Sequence, residues 1–372
     1  MPFLKQPMTN HISSTYTPKK RNWLAPQAYL PLWLWERFGS GAFNLLIIFL
    51  LIVYLFPIAY MISTAFMRSD QLGDRYAPPY PARQLTYFYD GKERKVYQVP
   101  FEDGVRELAL VNAGTRSSEF IDPQNPDAGL ITWEGSWRTL PGAYRFDMTW
   151  DNFVQLWDSI RFPQLIQNTL VVAVISEMGV LLSSIVVAYG FARFPLPGGD
   201  LLFYIMIATL LVPEKVTLIP TYFFFTRILG WNGSWLPILI PFFFGNAVYI
   251  FLLRQNFKSI PKEMEEAAMM DGAGPLRILF SVVIPQSWPV IITTALLHFF
   301  YIWNETRQAA LYLSTRRDLI PVSFGVQNFQ SLFPNQNMLQ ASALIVMIVP
   351  VVIILLSQRT FMQKLVVTGI EK

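Results

Sequence analysis

Cysteine is absent from the 372-residue chain. Its absence excludes disulfides, thiolate nucleophiles and cysteine-based metal sites. Histidine occurs only at His11 and His298, so a histidine-rich metal site is excluded as well. No Gly-x-x-x-x-Gly-Lys-Ser/Thr phosphate-binding loop occurs anywhere. We therefore expect no metal and no cofactor in this chain, and no ATP binding by the chain itself.

Charged residues are also scarce. They make up 15% of the chain, against about a quarter in typical soluble domains. The shortage is concentrated in apolar windows that reach the roughly 20 residues needed to cross a bilayer. An all-α polytopic membrane protein with six transmembrane helices is predicted, with buried helices of a large soluble protein as the alternative. The windows are 39–67, 162–192, 201–225, 228–253, 278–304 and 319–358.

Lysine and arginine predict the orientation, because they accumulate on the cytoplasmic side of membrane proteins. With both termini in the cytoplasm, most basic residues near span ends lie inside. The first window is too long for a signal-peptide core, and we expect it to be retained. The basic residues on the short outside loops are Arg227, Arg307, Arg316 and Arg317.

The windows divide the chain into four parts. Residues 1–38 are predicted to be a cytoplasmic tail, with a segment at the lipid headgroups near its end. Residues 39–67 form the first transmembrane helix, and 68–148 form an insertion outside the cell membrane. Residues 149–372 contain helices 2 to 6 and a polar loop at 257–289.

The insertion alternates polar and apolar residues, a pattern typical of strands. Asp90-Gly91 lies between two such runs and suits a tight hairpin turn. "RELALVNAG" at 106–114 and "LITWEGSWRTL" at 130–140 predict further short strands. We expect a small β-rich unit; disorder is the alternative, and the aromatic content argues against it.

Two of the apolar windows contain stretches that disfavour a regular helix. Pro213 and Pro220 flank "EKVTLI", so the third helix is expected to kink or break. "PFFFGN" places Pro241, Gly245 and Asn246 inside the fourth. Non-helical backbone at membrane depth is tolerated only against protein or a water-filled cavity, so these breaks hint at a pathway.

The polar loop contains "EEAAMMDGAG" at 265–274 between two apolar segments. Pro261 suits the first turn of a helix, and Gly272 suits its end in a left-handed conformation. Pro275 suits the start of a second helix through residue 284. The spacing predicts a short helix, a sharp turn and a helix that returns to the membrane.

The short helix has the composition of a docking surface. Met264, Ala267 and Ala268 recur at helical spacing on one predicted face. Alanines allow close approach by another protein, and acidic residues offer ion pairs to its lysines or arginines. The acidic residues are Glu263, Glu265 and Glu266.

At this loop the chain resembles the permease subunits of binding-protein-dependent ABC importers. Their signature is Glu-Ala-Ala, three residues, Gly, nine residues and Ile-x-Leu-Pro. This sequence has Glu266-Ala267-Ala268, then Gly272, then Val282-Val283-Ile284-Pro285. Similarity to the carbohydrate branch, with its maltose-type and glycerol-phosphate-type permeases, extends over 40–66 and 148–372. It is carried by "TWDNFVQLW", "QNTLVVAV", "AYGFARF", "VPEKVTLIPTYFFFTRILGW", "WNE" and the final "TGIEK".

The resemblance implies that the first helix of the loop is a coupling helix held in a cleft of a cytoplasmic ATPase. Two features on the outer side depart from the pattern of the carbohydrate branch: the length of the insertion, and Thr306-Arg307 after "WNE". The resemblance assigns polar contacts or caps to the acidic residues, close packing to the alanines and a turn to the glycine. The residues assigned to coupling are Glu266, Ala267, Ala268, Asp271, Gly272, Ile284 and Pro285.

The implied partners are a second homologous permease, two ABC ATPases that carry Mg·ATP, and an extracytoplasmic solute-binding protein. The implied location is the bacterial cytoplasmic (inner) membrane, and the implied substrate is a sugar or oligosaccharide. A stand-alone ion-coupled transporter or channel is the alternative. An intramembrane enzyme is disfavoured, because no nucleophile–base pair or metal site is visible.

Sugars are bound by aromatic faces and by hydrogen-bonding side chains that carry few charges, and ionisable residues within spans suggest function. The candidate pathway residues are Asn246, Tyr249, Trp303, Asn304 and Glu177. They equally suit helix packing or interfacial anchoring. Glu177 among them equally suits pairing with the companion permease. We expect a structural polar break at Glu214-Lys215 and a packing role for His298.

Overall fold

The computed structural model describes residues 32–102, 104–332 and 335–367. Most of the predicted cytoplasmic tail and the final "TGIEK" lie outside the described residues. Among the described residues, those up to Pro57 and those from Ile58 onward belong to two separate compact units. The first described helix begins at Leu32, before the predicted boundary at residue 39.

Helices make up most of the described chain. Four helical segments are long and apolar enough to cross a membrane: Phe43–Ala65, Phe162–Arg193, Leu236–Ser259 and Gln336–Gln358. The helices are α1 (Leu32–Ala65), α2 (Ser69–Leu72), α3 (Asp151–Ser159), α4 (Phe162–Arg193), α5 (Gly199–Ala208), α6 (Glu214–Phe223), α7 (Leu236–Leu239), α8 (Ala247–Ser259), α9 (Lys262–Met270), α10 (Pro275–Ile278), α11 (Ile284–Gln286), α12 (Trp288–Trp303), α13 (Arg307–Tyr312), α14 (Val322–Leu332) and α15 (Gln336–Val367).

Two further candidate spans are bent pairs of helices. Gly199–Leu211 meets Glu214–Ile228 at 93°, and Pro275–Gln286 meets Trp288–Trp303 at 81°. The first bend confirms the break predicted at Pro213. The second bend lies inside the window predicted as one helix at 278–304. Pro289, in the first turn of α12, has no backbone N–H to donate to the preceding turn. A bend is therefore expected at this position.

The fourth window is irregular at its proline and glycine, as the sequence predicted. A 3-10 turn at Ile240–Phe244 is followed by Gly245 at φ 86° and by the helix cap Asn246. The last window is not one helix, because α14 ends at Leu332 and α15 begins at Gln336. The sequence has proline at 334, and the residue before a proline disfavours the α-helical conformation.

Helix α4 lies at the centre of the helical part, where it packs against α8, α12 and the 3-10 turn. Gly179 allows a close approach to the 3-10 turn, since a Cβ there would lie 2.8 Å from the Phe243 ring. The buried apolar residues form three clusters along this helix, one near each end and one between them. They are centred on Leu253 and Phe257, on Leu313 and Ile302, and on Phe162 and Trp303.

The insertion contains the strands that its alternation predicted. Asp90 and Gly91 have φ of 49° and 71°, as a hairpin turn of two left-handed residues requires. A five-stranded antiparallel sheet has the order β2-β3-β4-β5-β6, and β1 pairs with β7. The strands are β1 (Ala82–Gln84), β2 (Thr86–Tyr89), β3 (Lys92–Phe101), β4 (Gly104–Asn112), β5 (Ser117–Ile121), β6 (Leu130–Glu134) and β7 (Tyr144–Phe146).

Candidate coupling loop and translocation pathway

Helix α9 ends in a Schellman motif. Gly272 has φ 80° and its N–H donates to the Met269 carbonyl at 2.9 Å, while the Ala273 N–H donates to the Ala268 carbonyl at 2.9 Å. These two bonds satisfy carbonyls that the end of a helix leaves without partners. Gly274 then precedes Pro275, which occupies the first turn of α10. The short helix, the left-handed glycine and the proline start therefore occur where the sequence predicted them.

The inward face of α9 is formed by Glu265 and Ala268. Glu265 is 5% exposed and Ala268 is partly buried against the apolar cluster. Met264 and Ala267, predicted to form a docking face with Ala268, are exposed. Glu265 was also expected to be an anchor for a partner protein, and that prediction is wrong, because its carboxylate points into this chain.

The carboxylate of Glu265 is neutralised by the last residue of α4. Its Oε1 lies 2.6 Å from Nε of Arg193, and both side chains are more than nine-tenths buried. The Nη2 of Arg193 also donates to the Ile260 carbonyl at 2.9 Å. A buried charge is costly unless it is paired, and this pairing explains why an acidic residue can occupy the inward face.

The remaining residues assigned to coupling lie on both sides of the turn. Glu266 and Ala267 are exposed on α9, and Asp271 is exposed at its C-terminal cap. Ile284 is partly buried against the same apolar cluster as Ala268, whereas Pro285 is exposed. The outward side of α9 is thus acidic and apolar.

Three of the five pathway candidates lie around the irregular start of α8. Asn246 caps this helix, since its Oδ1 accepts from the backbone N–H groups of Val248 and Tyr249. Tyr249 is buried and its ring meets the His298 ring edge-on at 5.8 Å. Both carboxylate oxygens of Glu177 are buried without a hydrogen-bond partner among the described residues. Helix α4, which carries Glu177, packs against α8, which carries Tyr249, so these side chains lie on neighbouring helices of the bundle.

Trp303 and Asn304 do not join that region. Trp303 is 1% exposed and packs in the cluster of Phe162 and Leu165. Asn304 is exposed at the end of α12, where its Nδ2 donates to the Phe300 carbonyl. Their positions fit packing and capping.

His298 has the packing role expected of it. The residue is fully buried, and its Nε2 lies 3.0 Å from the Ser176 hydroxyl of α4. Its ring lies against Phe242 with a centroid separation of 4.6 Å. His298 therefore links α12 to α4 and to the 3-10 turn before α8.

Two further ion pairs lie away from α9 and are more exposed than the pair of Arg193 with Glu265. Glu214 pairs with Arg307, so the unusual arginine after "WNE" meets the polar break that the sequence indicated. Arg316 and Asp318 form two hydrogen bonds in the loop before α14. The Arg316 guanidinium holds the pKa of the Asp318 carboxyl below its usual value.

Arg193 is the residue of the loop region that sequence reasoning missed. It was read only as a topology signal, yet it ends an apolar helix beside a loop rich in acidic residues. An acidic residue at the i−3 position from Ala268 was the available signal, because it falls on the inward face of α9. The contact itself joins residues 72 positions apart, so local patterns do not reveal it.

Residues 179–367 match the family described as binding-protein-dependent transport system inner membrane component. The chain belongs to this family. It is therefore a permease component of an ABC importer in the inner membrane, and ATP hydrolysis belongs to a partner subunit. The matched region includes α9, the Schellman turn and the irregular start of α8.

Named relatives cover the chain more widely. An osmoprotective compounds uptake permease protein, GgtD of Synechocystis sp., is 32% identical over 74% of this chain and 92% of its own length. The sn-glycerol-3-phosphate transport system permease protein UgpE of Yersinia pestis is 30% identical over 61% of this chain and 82% of its own length. An alpha-glucoside transport system permease protein, AglG of Rhizobium meliloti, is 28% identical over 60% of each chain.

A solved structure shares the fold. It is a bacterial ABC transporter involved in the import of the acidic polysaccharide alginate. One of its chains superposes with a TM-score of 0.56 at 23% identity, covering 88% of this chain and 97% of that one.

Proposed function

We propose that this permease moves a sugar or oligosaccharide that an extracytoplasmic binding protein delivers. In this proposal both bent helix pairs cross the membrane, which gives six spans. The companion is a homologous permease, and two cytoplasmic ATPases carry Mg·ATP. Segment 261–285 lies inside the cell as the coupling loop, and the insertion lies outside.

The observation that carries the proposal is the construction of α9. A nine-residue helix is too short to be stable alone in water, yet here it is fixed by a Schellman turn, a proline start to α10 and a buried ion pair. Its exposed side carries Glu263, Glu266 and the alkyl surface of Met270. Such a fixed, partly acidic and partly apolar side suits a cleft in another protein.

The mechanism follows from alternating access, in which one part of the bundle rocks against another around a central site. ATP-driven closure of the ATPases moves α9, and α9 moves the helices that hold it. The irregular backbone at 240–246 lies beside Glu177 and Tyr249, and non-helical backbone at this depth requires protein or a water-filled cavity around it. We assign the substrate pathway to this region.

The substrate class rests on chemistry and on the relatives. Their names refer to osmoprotective compounds, glycerol-3-phosphate and an alpha-glucoside. The proposed pathway has an amide at Asn246, a phenol at Tyr249 and an acid at Glu177. Hydrogen-bonding groups with few fixed charges suit a polyhydroxylated solute.

The test begins with the cognate binding protein. Thermal shifts against mono-, di- and oligosaccharides and polyols identify the solute, and its uptake is then measured in proteoliposomes of the full complex. We expect uptake with Mg·ATP and none with Mg·ADP. Uptake by the permeases without the ATPase, driven by an ion gradient, would replace this proposal with the stand-alone transporter.

A further inference from the structure

The last turn of α4 is bonded to the chain before, within and after α9. Arg193 donates to the Ile260 carbonyl just before the helix and pairs with Glu265 inside it. The Tyr189 hydroxyl donates to the Pro275 carbonyl just after the turn, at 3.3 Å. Both ends of the loop and its helix therefore share one neighbour, the end of α4.

Apolar packing contributes little to this connection. The outward methionines Met264, Met269 and Met270 are 46%, 54% and 90% exposed. Of the residues of α9, Ala268 joins the apolar cluster as a partly buried member. One alanine side chain buries little apolar area. An exposed contact from the Gln286 amide to the Met264 sulfur is the other polar side-chain link, so the ion pair is the main buried one from α9 to the helix bundle.

A buried ion pair needs an explanation other than stability. The cost of removing both charges from water offsets much of their attraction, and apolar replacements are often neutral or stabilising. What the pair supplies is a short buried ionic contact that fixes the distance between α9 and the end of α4. Such a contact is suited to transmitting a displacement from one helix to another.

The other end of this connection lies at the proposed pathway. Along α4, the Ser183 hydroxyl donates to the Phe242 carbonyl at 3.1 Å, and the Ser184 hydroxyl accepts from the Asn246 N–H at 3.3 Å. A displacement of the inner end of α4 therefore reaches the irregular backbone at 240–246 through direct hydrogen bonds.

We infer that Arg193 and Glu265 form a positioning pair that makes α9 and α4 move together when the ATPases close. This inference rests on the proposed docking of α9 to the ATPase. The pair touches neither substrate nor nucleotide. It converts movement of the docked helix into movement of the pathway helix.

The test uses the reconstituted complex of both permeases and the ATPases, with the partner cysteines replaced. This chain has no cysteine, so Arg317→Cys places a single fluorophore in the exposed loop before α14. Mg·ATP with vanadate is the probe, and the amplitude of the fluorescence change reports the conformational response. Assembly and ATP hydrolysis are measured on the same samples.

Arg193→Met/Glu265→Met removes both charges without leaving one buried alone. We expect normal assembly and ATP hydrolysis, with the fluorescence amplitude reduced about tenfold or more, because the replacement retains packing but not the ionic contact. Lys258→Gln removes an exposed cation from the neighbouring α8 and is expected to behave as wild type. A wild-type amplitude in the double variant would overturn the inference.

Two further variants keep the test decisive if that double variant fails to assemble. Arg193→Lys retains a cation for Glu265 and should retain much of the signal, whereas Arg193→Gln/Glu265→Gln, which leaves neither charge buried alone, should lose it. Equal amplitudes in these two would refute the positioning role. A wild-type complex that neither binds the ATPase nor responds to Mg·ATP would instead refute the proposed function.

Discussion

The loop at 260–275 and the insertion at 68–148 are both polar excursions from apolar helices, yet different chemistry attaches them. The loop is joined to α4 by a buried pair of opposite charges. The insertion has its own apolar cluster around Val99, Leu108 and Phe120. At its base, the neutral Asn152 side chain donates to the Ala65 and Met67 carbonyls, both at 2.8 Å.

The difference follows from what each region can bury. The insertion has enough apolar surface for a core of its own, so its attachment needs only hydrogen bonds to satisfy backbone carbonyls. The loop has almost no core, and its fixed position depends on a turn and an ion pair. We therefore expect changes in the loop to alter coupling and changes in the insertion to remain local.

Gly272→Val should have the largest effect on transport. A β-branched residue at φ 80° costs roughly 1–3 kcal/mol and would disrupt the Schellman turn. We expect uptake and transport-coupled ATP hydrolysis to be lost. Gly274→Val is the matched control, since Gly274 has φ −73° and open space around it. Normal uptake by the Gly272 variant would separate the turn from coupling.

Phe120→Ala should destabilise the insertion by roughly 3–5 kcal/mol, the usual cost of emptying a buried aromatic site. Phe120 is fully buried against Trp133 and its neighbours. Hydrogen exchange of the strands should accelerate, while ATP hydrolysis by the complex stays within about twofold of wild type, because distant sites act independently. Phe88→Ala, at a 69% exposed position, is the control. Loss of ATP hydrolysis would show that the regions are coupled.

Asn152→Ala should have a smaller cost, roughly 1–3 kcal/mol, because the buried Ala65 carbonyl loses its side-chain donor while the Met67 carbonyl keeps Asn337. Thermal unfolding of the purified complex measures it. Gln155→Ala changes an exposed amide on the same helix and should leave the unfolding temperature unchanged. Equal effects of the two variants would mean that the amide contacts do not hold the base of the insertion.

Asp147→Asn should have the smallest effect. Asp147 pairs with Arg68 at 3.4 Å with more than a third of each side chain exposed, and such pairs contribute about 0–1 kcal/mol. Glu265→Gln, which leaves Arg193 buried without its partner charge, should cost roughly 3–5 kcal/mol. Thermal unfolding compares the two directly. Similar shifts for both would contradict the contrast in burial.

Local chemistry made much of both regions predictable. Asp90-Gly91 gave the hairpin, and Gly272 with Pro275 gave the end of α9 and the start of α10. Each of these follows from backbone preferences of the residue itself. Pro213 indicated the bent span for the same reason.

Long-range contacts could not be predicted in this way. The pairing of Arg193 with Glu265 depends on how α4 and α9 pack, so Glu265 was assigned incorrectly as an anchor for a partner protein. In α12 the side chains are apolar on every side, so periodicity could not tell that Trp303 faces the core. The split of the last window into α14 and α15 was missed because the window had been defined only by its lack of charged residues.

Labelling of the two regions from each side of the membrane tests the central claim most directly. Ala267→Cys and Phe88→Cys each give an exposed thiol in a chain that has no other cysteine. A membrane-impermeant maleimide should react with the Ala267 variant only in inverted vesicles, with protection by the bound ATPase. The Phe88 variant should react only in right-side-out vesicles. Labelling of both variants from one side, or no protection by the ATPase, would contradict the account.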